Sequence, residues 1–335
     1  MKKVAVLYGG WAHESFLCAF PSVLQAIKRL GYIAHALRCD SPSFFSELAV
    51  FHPDVAFLAS HGAYHEDGKL QGVLDWLNIP YVGSSVGASA VGMNKVLFKN
   101  FIRGMGIATA PHISIEKGQI VPSFAQATKF LNSEKVVLKP VSSGASVGLK
   151  LINNSDQYKN HIDILLKEFG SCLVESFLSE CREFSVGVHD FDGVVSSLPV
   201  CELHTGGEVF DFDMKNGFSF IDKTIPAQIN SRISQDMQRI AAQIHSGLGA
   251  QGSSRIDMLL TQDLIINVLE INTLPGLMPQ SVLPKSFEIT GVSYDEMIEK
   301  MLIAAKKPKR FEVAKQYGQQ PTLSDSVIAS MNAIS

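Results

Sequence analysis

Apolar residues along the first 90 positions alternate between short continuous runs and stretches with helical spacing. The continuous runs predict buried strands at residues 4–8, 32–37, 55–59 and 80–82. Helical spacing links Val23, Leu24, Ile27 and Leu30, and again Leu70, Val73, Leu74 and Leu77. Strands that alternate with helices predict a parallel sheet with helices on its faces. Ligands bind beyond the carboxyl ends of such strands, so Gly9-Gly10 and Ser60-His61-Gly62 are candidate site segments.

The middle of the chain has a different pattern, with a helix predicted over residues 93–107 and a break at Pro111. A strand is predicted over residues 136–139, and a loop of small residues, 142–148, follows it. Such a loop lets backbone N–H groups converge on a phosphate, and Lys139 stands just before it. The loop lacks the Gly-Lys-Ser/Thr ending of a P-loop, so a flexible turn is an equal alternative.

The segment 254–276 contains two strand-like runs separated by a polar turn, and it predicts a β-hairpin. Glu270 and Asn272 are two residues apart and point to the same face, which Asp257 on the partner strand can reach. Two carboxylates and an amide oxygen form a hard oxygen site suited to Mg²⁺. Arg255 shares the face of Asp257, where it could clamp a phosphate through two-point contacts. The alternative is an ordinary hairpin with polar residues facing water.

Single polar residues give weaker signals. Lys95 and Lys215 carry the charge to bind phosphate, although a single lysine is usually a solvated surface residue. Residues 174–178 indicate a strand that runs into a linker, where backbone groups can bind adenine. Glu183 is either a ribose acceptor or a charge on an edge strand.

Two further candidates follow strands of the N-terminal sheet. His61 and His65 lie in a segment with two acids, and we interpret them as hydrogen-bonding groups in preference to metal ligands. Glu14 follows the first strand, where an acid could hold a substrate ammonium group. The alternative for Glu14 is an acid at a helix N-terminus, which the helix dipole favours.

Composition and charge narrow the range of functions. The 335 residues, of which 46% are hydrophobic, predict two or three domains with substantial cores. A net charge of −3 argues against a nucleic-acid partner. The five cysteines are scattered and indicate reduced thiols of a cytoplasmic protein. The N-terminal apolar run is too short for a signal peptide, and no later run is long enough for a membrane span.

Taken together, these segments resemble the ATP-grasp superfamily and, within it, the D-alanine–D-alanine ligase family. The likeness extends from Val4 to about Lys306. It is carried by residues 4–10 with Glu14, His61-Gly62 with 66–72, 79–84, Ser89-Ala90 with Met93-Asn94-Lys95, Lys139-Pro140, 255–257 and 270–276. The implied fold is an ATP-grasp fold of α/β and α+β class. It has an N-terminal parallel-sheet substrate domain (1–92), a central lid domain (93–181), a C-terminal catalytic domain (182–309) and a polar tail (310–335).

The resemblance implies that ATP lies between the central and C-terminal domains. The implied ATP-binding residues are Lys95, Lys139, Ser146, Glu175, Phe177, Leu178, Glu183 and Lys215. Asp257, Glu270 and Asn272 would hold two Mg²⁺ or Mn²⁺ ions, and Arg255 and the backbone N–H of Gly276 would stabilise the tetrahedral oxyanion. Glu14 and His61 would contact the first amino acid, and Ser281 the carboxylate of the second. Members of the family act in peptidoglycan synthesis and are usually dimers.

Two positions depart from the family pattern. A serine of the loop after Lys139 falls at Ala145, and a tyrosine that follows the family's loop lysine falls at Asn216. Each lost hydroxyl removes a hydrogen bond worth roughly 1 kcal/mol near the first substrate. The alternatives are therefore a related ligase with another amino or hydroxy acid as substrate, or a non-catalytic nucleotide-binding relative.

Overall fold

Four parallel strands form the first sheet of the protein, which we describe from a computed structural model over residues 2–11, 19–144, 146–204 and 222–305. The strands are β1 (Lys3–Tyr8), β2 (Ile33–Arg38), β3 (Val55–Leu58) and β4 (Tyr81–Val82), in the order β2-β1-β3-β4. Helices α1 (Phe20–Arg29), α2 (Phe44–Phe51) and α3 (Lys69–Leu77) connect them. The predicted parallel sheet is therefore confirmed, and each of its strands coincides with one of the predicted apolar runs.

The helix predicted over residues 93–107 is wrong in its extent. The chain forms α4 (Val86–Met93) and α5 (Lys95–Gly104), which meet at Asn94. The Asn94 backbone is extended, and its side-chain Oδ1 accepts hydrogen bonds from the amides of Val96 at 3.1 Å and Leu97 at 3.0 Å. An asparagine that caps a helix in this way cannot continue the preceding one, so it turns the chain between the two helices.

The central sheet is antiparallel. Its strands are β5 (His112–Glu116), β6 (Val136–Lys139), β7 (Lys150–Ile152) and β8 (Ser171–Ser176), in the order β5-β8-β6-β7. Helices α6 (Phe124–Leu131) and α7 (Ser155–Glu168) bury their apolar residues against it. Pairing of β6 with β8 brings Lys139 and Glu175 together at the edge of the core.

A larger antiparallel sheet lies in the C-terminal part of the chain. Its strands are β9 (Arg182–His189), β10 (Ser196–Ser197), β11 (Cys201–Leu203), β12 (Lys223–Thr224), β13 (Ser253–Leu260) and β14 (Ile266–Asn272), in the order β12-β11-β9-β13-β14, with β10 paired to β9. Helices α8 (Ser231–Leu248), α9 (Val282–Ile289) and α10 (Tyr294–Ala304) complete the described chain. Because β13 lies between β9 and β14, the side chains that it presents are fixed from both sides.

The predicted hairpin is confirmed by the pairing of β13 with β14. Asp257 is the register partner of Glu270, and Arg255 is the partner of Asn272. The register shifts directly after Asp257, as at a β-bulge. The polar residues of the two strands are therefore brought together on adjacent strands.

Helices from the end of the described chain pack against the N-terminal sheet. Residues of α9 and α10 share one apolar core with residues of β1, β3 and α1. An ion pair between Arg29 and Asp295, with 2.6 Å between nitrogen and oxygen, joins α1 to α10 at the surface. The N-terminal sheet is thereby held close to the C-terminal sheet. None of the helices in the described ranges has the length and apolar character needed to cross a bilayer.

Candidate active site

An open cleft with about 1250 Å³ of empty space lies between the central sheet and the C-terminal hairpin. Its walls include most of the residues that the sequence assigned to ATP and metal. They are Lys95, Lys139, Ser146, Glu175, Phe177, Leu178, Glu183, Asp257 and Glu270. These residues come from four separate segments of the chain, so the fold assembles them into one site.

The central wall of the cleft is built around Glu175 on β8. Its two carboxylate oxygens form ion pairs with Lys99 and Lys139. Burial by itself would raise the pKa of Glu175, but the ammonium charges of Lys139 and Lys99 lower it to about 2. The carboxylate is therefore ionised at any physiological pH. Lys139 is the member of this group that, with Glu175, lines the cleft.

Lys95 connects the small-residue loop to the hairpin. Its Nζ donates a hydrogen bond of 2.6 Å to the carbonyl oxygen of Ser143 and lies 3.8 Å from Glu270 Oε2. The loop itself is held by Gly148, whose φ is +72° and where an added Cβ would come within 3.1 Å of the Pro140 ring. The loop that the sequence proposed for phosphate therefore lies at the cleft, in a defined turn beside a lysine.

The opposite wall is formed by the hairpin. Arg255 donates two hydrogen bonds to the Asp257 carboxylate, at 2.9 Å from Nε and 2.7 Å from Nη2. Ser185 on β9 donates to the same carboxylate, and Asn272 Nδ2 lies 3.1 Å from its Oδ2. Burial disfavours the guanidinium charge, but Asp257 more than compensates and raises the pKa of Arg255 above its ordinary value. Arg255 is therefore a permanently charged and well-oriented donor.

The hairpin offers oxygen ligands suited to a hard divalent cation. Asp257 and Glu270 face each other in register and line the cleft, and Asn272 lies beside Glu270 in an adjoining smaller cavity. Among the described residues no group of three or more His, Cys, Asp or Glu side chains is assembled. Two carboxylates and one amide thus fit a Mg²⁺ ion that takes its remaining ligands from water and substrate oxygens.

His61, Gly276 and Ser281 lie at the other end of the hairpin. Burial, and then the charges of Arg255 and His65, lower the pKa of His61 to about 4. The imidazole is therefore neutral at pH 7 and lies near Arg255. A Cβ added at Gly276 would be 3.1 Å from Ser281 Oγ, so the two predicted substrate residues are neighbours. Ser281 precedes α9 and makes no capping hydrogen bond through its side chain.

Several predicted positions lie outside the described residues. These are Glu14, Lys215 and the two positions of departure, Ala145 and Asn216. Their assignments stay predictions from the sequence.

Three residues at the site were not assigned from the sequence. Lys99 is fully buried beneath Glu175, and Ser185 donates to Asp257. Glu66 is buried near the hairpin, where its carboxylate accepts a 2.7 Å hydrogen bond from the Gly62 amide and helps to raise the pKa of Arg255. Glu66 had a signal, because it follows β3 in the segment that contains His61. Lys99 and Ser185 had none, because their partners are distant in sequence.

The sequence matches family models and the sequences of known proteins over most of its length. Family models described as D-ala D-ala ligase C-terminus and N-terminus match residues 101–303 and 36–84. A D-alanine–D-alanine ligase from Geotalea uraniireducens is 32% identical over 306 residues, which are 91% of this chain and 96% of that protein. One from Halalkalibacterium halodurans is 32% identical over 303 residues, covering 89% and 97%.

Solved structures give the same fold. The D-alanine–D-alanine ligase from Bacillus anthracis, complexed with ATP, superposes with a TM-score of 0.77 at 23% identity, over 95% of this chain and 100% of that one. The corresponding enzyme from Coxiella burnetii superposes with a TM-score of 0.75 at 22% identity, over 91% and 95%. The three-sheet arrangement around the cleft is therefore shared with proteins of known structure.

Proposed function

Because the chain belongs to the D-alanine–D-alanine ligase family, we propose that it joins two D-alanine molecules in an ATP-dependent reaction. The protein is a ligase with the ATP-grasp fold. The observation that carries the proposal is the cleft, in which Lys95 and Lys139 face Asp257 and Glu270. The phosphates of a nucleoside triphosphate need cationic side chains on one side and metal-binding oxygens on the other, and this cleft supplies both.

ATP occupies the cleft between the central sheet and the hairpin. Glu175, Phe177 and Leu178 surround adenine, and Glu183 accepts from the ribose. Lys95, Lys139 and Lys215 contact the phosphates or the base of ATP, and Ser146 is a further ATP-binding residue. The D-alanine–D-alanine ligase from Bacillus anthracis was crystallised with ATP, which supports a nucleotide site in this fold.

The reaction has two steps. The carboxylate of the first D-alanine attacks the γ-phosphorus of ATP, and ADP leaves as an acyl phosphate forms. The amine of the second D-alanine then attacks the acyl carbon, loses a proton and expels inorganic phosphate. Both steps depend on positioning the reactants and neutralising negative charge, since the protein makes no covalent bond to the substrate.

Arg255 and the backbone N–H of Gly276 stabilise the oxyanion of the second step. Arg255 suits this role because Asp257 holds its guanidinium in a fixed orientation through two hydrogen bonds. Glu14 binds the ammonium group of the first D-alanine, and His61 lies beside it. Ser281, next to Gly276, receives the carboxylate of the second.

Asp257, Glu270 and Asn272 would hold the two Mg²⁺ or Mn²⁺ ions of the family. Bound ions would offset the charge of the phosphate oxygens. The charges of the cleft support this assignment, because its acidic lining residues outnumber its lysines. An anionic nucleotide cannot bind such a surface unless cations accompany it.

We extend the proposal to the organisation of the protein. Residues 1–92 bind the first substrate, 93–181 close over ATP, and 182–309 carry the catalytic hairpin. The product would serve peptidoglycan synthesis in the cytoplasm, and the enzyme would act as a homodimer on small amino acids. Homologues that carry the ligase name over most of their length support this assignment.

A phosphate-release assay tests the proposal. Purified protein with ATP and Mg²⁺ should release phosphate when D-alanine is added, and D-alanyl-D-alanine should accumulate in equal amounts. L-alanine and D-lactate serve as matched controls, since one inverts the stereocentre and the other replaces the amine by a hydroxyl. Release with D-lactate or another amino acid, but not with D-alanine alone, would assign the protein a different substrate pair.

A further inference from the structure

Lys99 is a lysine with no contact to solvent and no place in the mechanism above. Its side chain on α5 is 0% exposed, and it does not line the cleft. Its Nζ forms an ion pair with Glu175 and donates a 2.6 Å hydrogen bond to Thr109 Oγ1. Burying a lysine is unfavourable even when it is paired, and an apolar residue could fill the same space without that penalty. Packing alone therefore does not explain a lysine at this position.

The reason lies in the charge of the group that Lys99 joins. Burial lowers the pKa of Lys99, and the Glu175 carboxylate opposes that shift. The geometry points to a charged Lys99, because its Nζ forms an ion pair with the ionised Glu175 carboxylate. Glu175 then contributes one negative charge, while Lys99 and Lys139 contribute two positive charges, so the group has a net charge of about +1. His112 faces Glu175 from β5, and burial followed by the charge of Lys99 lowers its pKa, so it is neutral at pH 7. Among the described residues, Arg103 is a further cation that acts on Lys99, but it is exposed and therefore screened by water.

The uncompensated charge faces the cleft. Lys99 is enclosed, whereas Lys139 lines the cleft with Glu175. If Lys99 were absent, Glu175 and Lys139 would form a closed pair with no net charge. A buried pair of that kind attracts a phosphate much less than a lysine whose charge is not already balanced.

We propose that Lys99 is a positioning residue that balances the charge of Glu175 and so leaves the charge of Lys139 for the phosphates of the nucleotide. This inference rests on the proposed function, because it takes the occupant of the cleft to be a nucleotide. Lys99 acts only through Glu175 and Lys139 and does not touch the ligand.

A second set of contacts ties this group to the opposite wall. The Thr109 hydroxyl donates a 2.7 Å hydrogen bond to the carbonyl oxygen of Val268 on β14, so its oxygen accepts from Lys99. The Val268 amide donates in turn to the carbonyl oxygen of Ala108 at 2.9 Å. Val268 is two residues before Glu270. The chain from Lys99 to β14 therefore fixes the positive group relative to the hairpin.

Calorimetric binding of adenosine and ADP, both in magnesium buffer, tests the proposal. The dissociation constant for adenosine divided by that for ADP isolates what the phosphates contribute to binding. Lys99→Met should lower this ratio about tenfold, the scale of one charge-assisted hydrogen bond, while adenosine binding changes less than about threefold. Lys150→Met is the control, because it removes an exposed cation from β7 and should leave the ratio unchanged.

A double variant separates charge balance from packing. Lys99→Met with Glu175→Gln leaves Lys139 as the single charge of the group, so the ratio should return to within about threefold of the parent value. This variant removes the buried carboxylate together with Lys99, so it tests the proposal even if Lys99→Met alone does not fold. A double variant with a ratio tenfold below the parent, or equal losses of adenosine and ADP binding in Lys99→Met, would overturn the inference and leave the proposed function standing. A parent protein that does not bind ADP would overturn both.

Discussion

The two walls of the cleft handle their charges in different ways. On the central wall, Glu175 and Lys139 are almost enclosed, with 4% and 9% of their side chains exposed, and they form a tight ion pair. On the hairpin wall, the Glu270 side chain is 35% exposed, and the Lys95 ammonium lies 3.8 Å from its carboxylate. The first wall holds its charged groups enclosed and oriented before a ligand binds, whereas the second presents an accessible carboxylate.

This difference indicates what each wall does. Enclosed and paired charges keep their orientation, which suits a surface that binds the constant parts of a nucleotide. An accessible carboxylate in register with a second one, Asp257, suits an exchangeable cation that arrives with the substrate. Substitutions on the central wall should therefore weaken nucleotide binding, and substitutions on the hairpin wall should lower kcat.

The largest effect is expected from the hairpin wall. Glu270→Gln keeps the size of the side chain but removes its charge, so kcat should fall by at least about 10³-fold. Because Glu270 is partly exposed, the melting temperature should change little. Steady-state kinetics with D-alanine, together with thermal unfolding, measures both quantities.

The matched control for this prediction is Glu116→Gln, the same chemical change at an exposed position on β5. It should retain the activity of the parent. Activity of Glu270→Gln within tenfold of the parent would show that the hairpin does not carry the metal.

A smaller effect, of a different kind, is expected from the central wall. Lys139→Met removes the cleft-facing charge but leaves Lys99 and Glu175 as a balanced pair. The KM for ATP should rise roughly 10- to 100-fold, with a smaller change in kcat, because the lost contact is made in the ground state as well. Initial rates across a range of ATP concentrations separate the two constants. A loss in kcat with an unchanged KM would remove the distinction drawn between the walls.

The smallest effect concerns pH, and it arises outside both walls. Burial lowers the pKa of both His61 and His65 to about 4 in the folded protein, against 6.5 for an unperturbed histidine. The unfolded chain therefore binds more protons than the folded one between these values. The free energy of unfolding should rise by roughly 2 kcal/mol for each of the two histidines as pH increases from about 4.5 to 7.

Urea titrations across this pH range measure the change. His65→Gln should reduce the slope, since one of these two histidines with a lowered pKa is gone, while His52→Gln replaces an exposed histidine and should not. A slope in His65→Gln as steep as that of the parent would place the titrating group elsewhere. The group that causes the pH dependence would then lie on the central wall or on the hairpin wall.

Much of the architecture followed from local pattern. The apolar runs predicted the strands of the N-terminal sheet, and alternation with helices predicted that they are parallel. The hairpin also followed, because two strand-like runs around a polar turn pair with each other in almost any fold. The exception, at residues 93–107, arose because periodicity alone does not detect the asparagine cap at Asn94.

The sequence by itself determined the strands of the N-terminal sheet, the hairpin and the polar residues that the hairpin carries, because these depend on neighbours within a few residues. Only the tertiary structure decided that Lys99 lies against Glu175, 76 positions later, and that Ser185 supports Asp257. Those contacts depend on which strands become adjacent, and no local pattern encodes that choice. The physical reason is that a buried charge is stable only beside its partner, and folding is the step that brings the partners together.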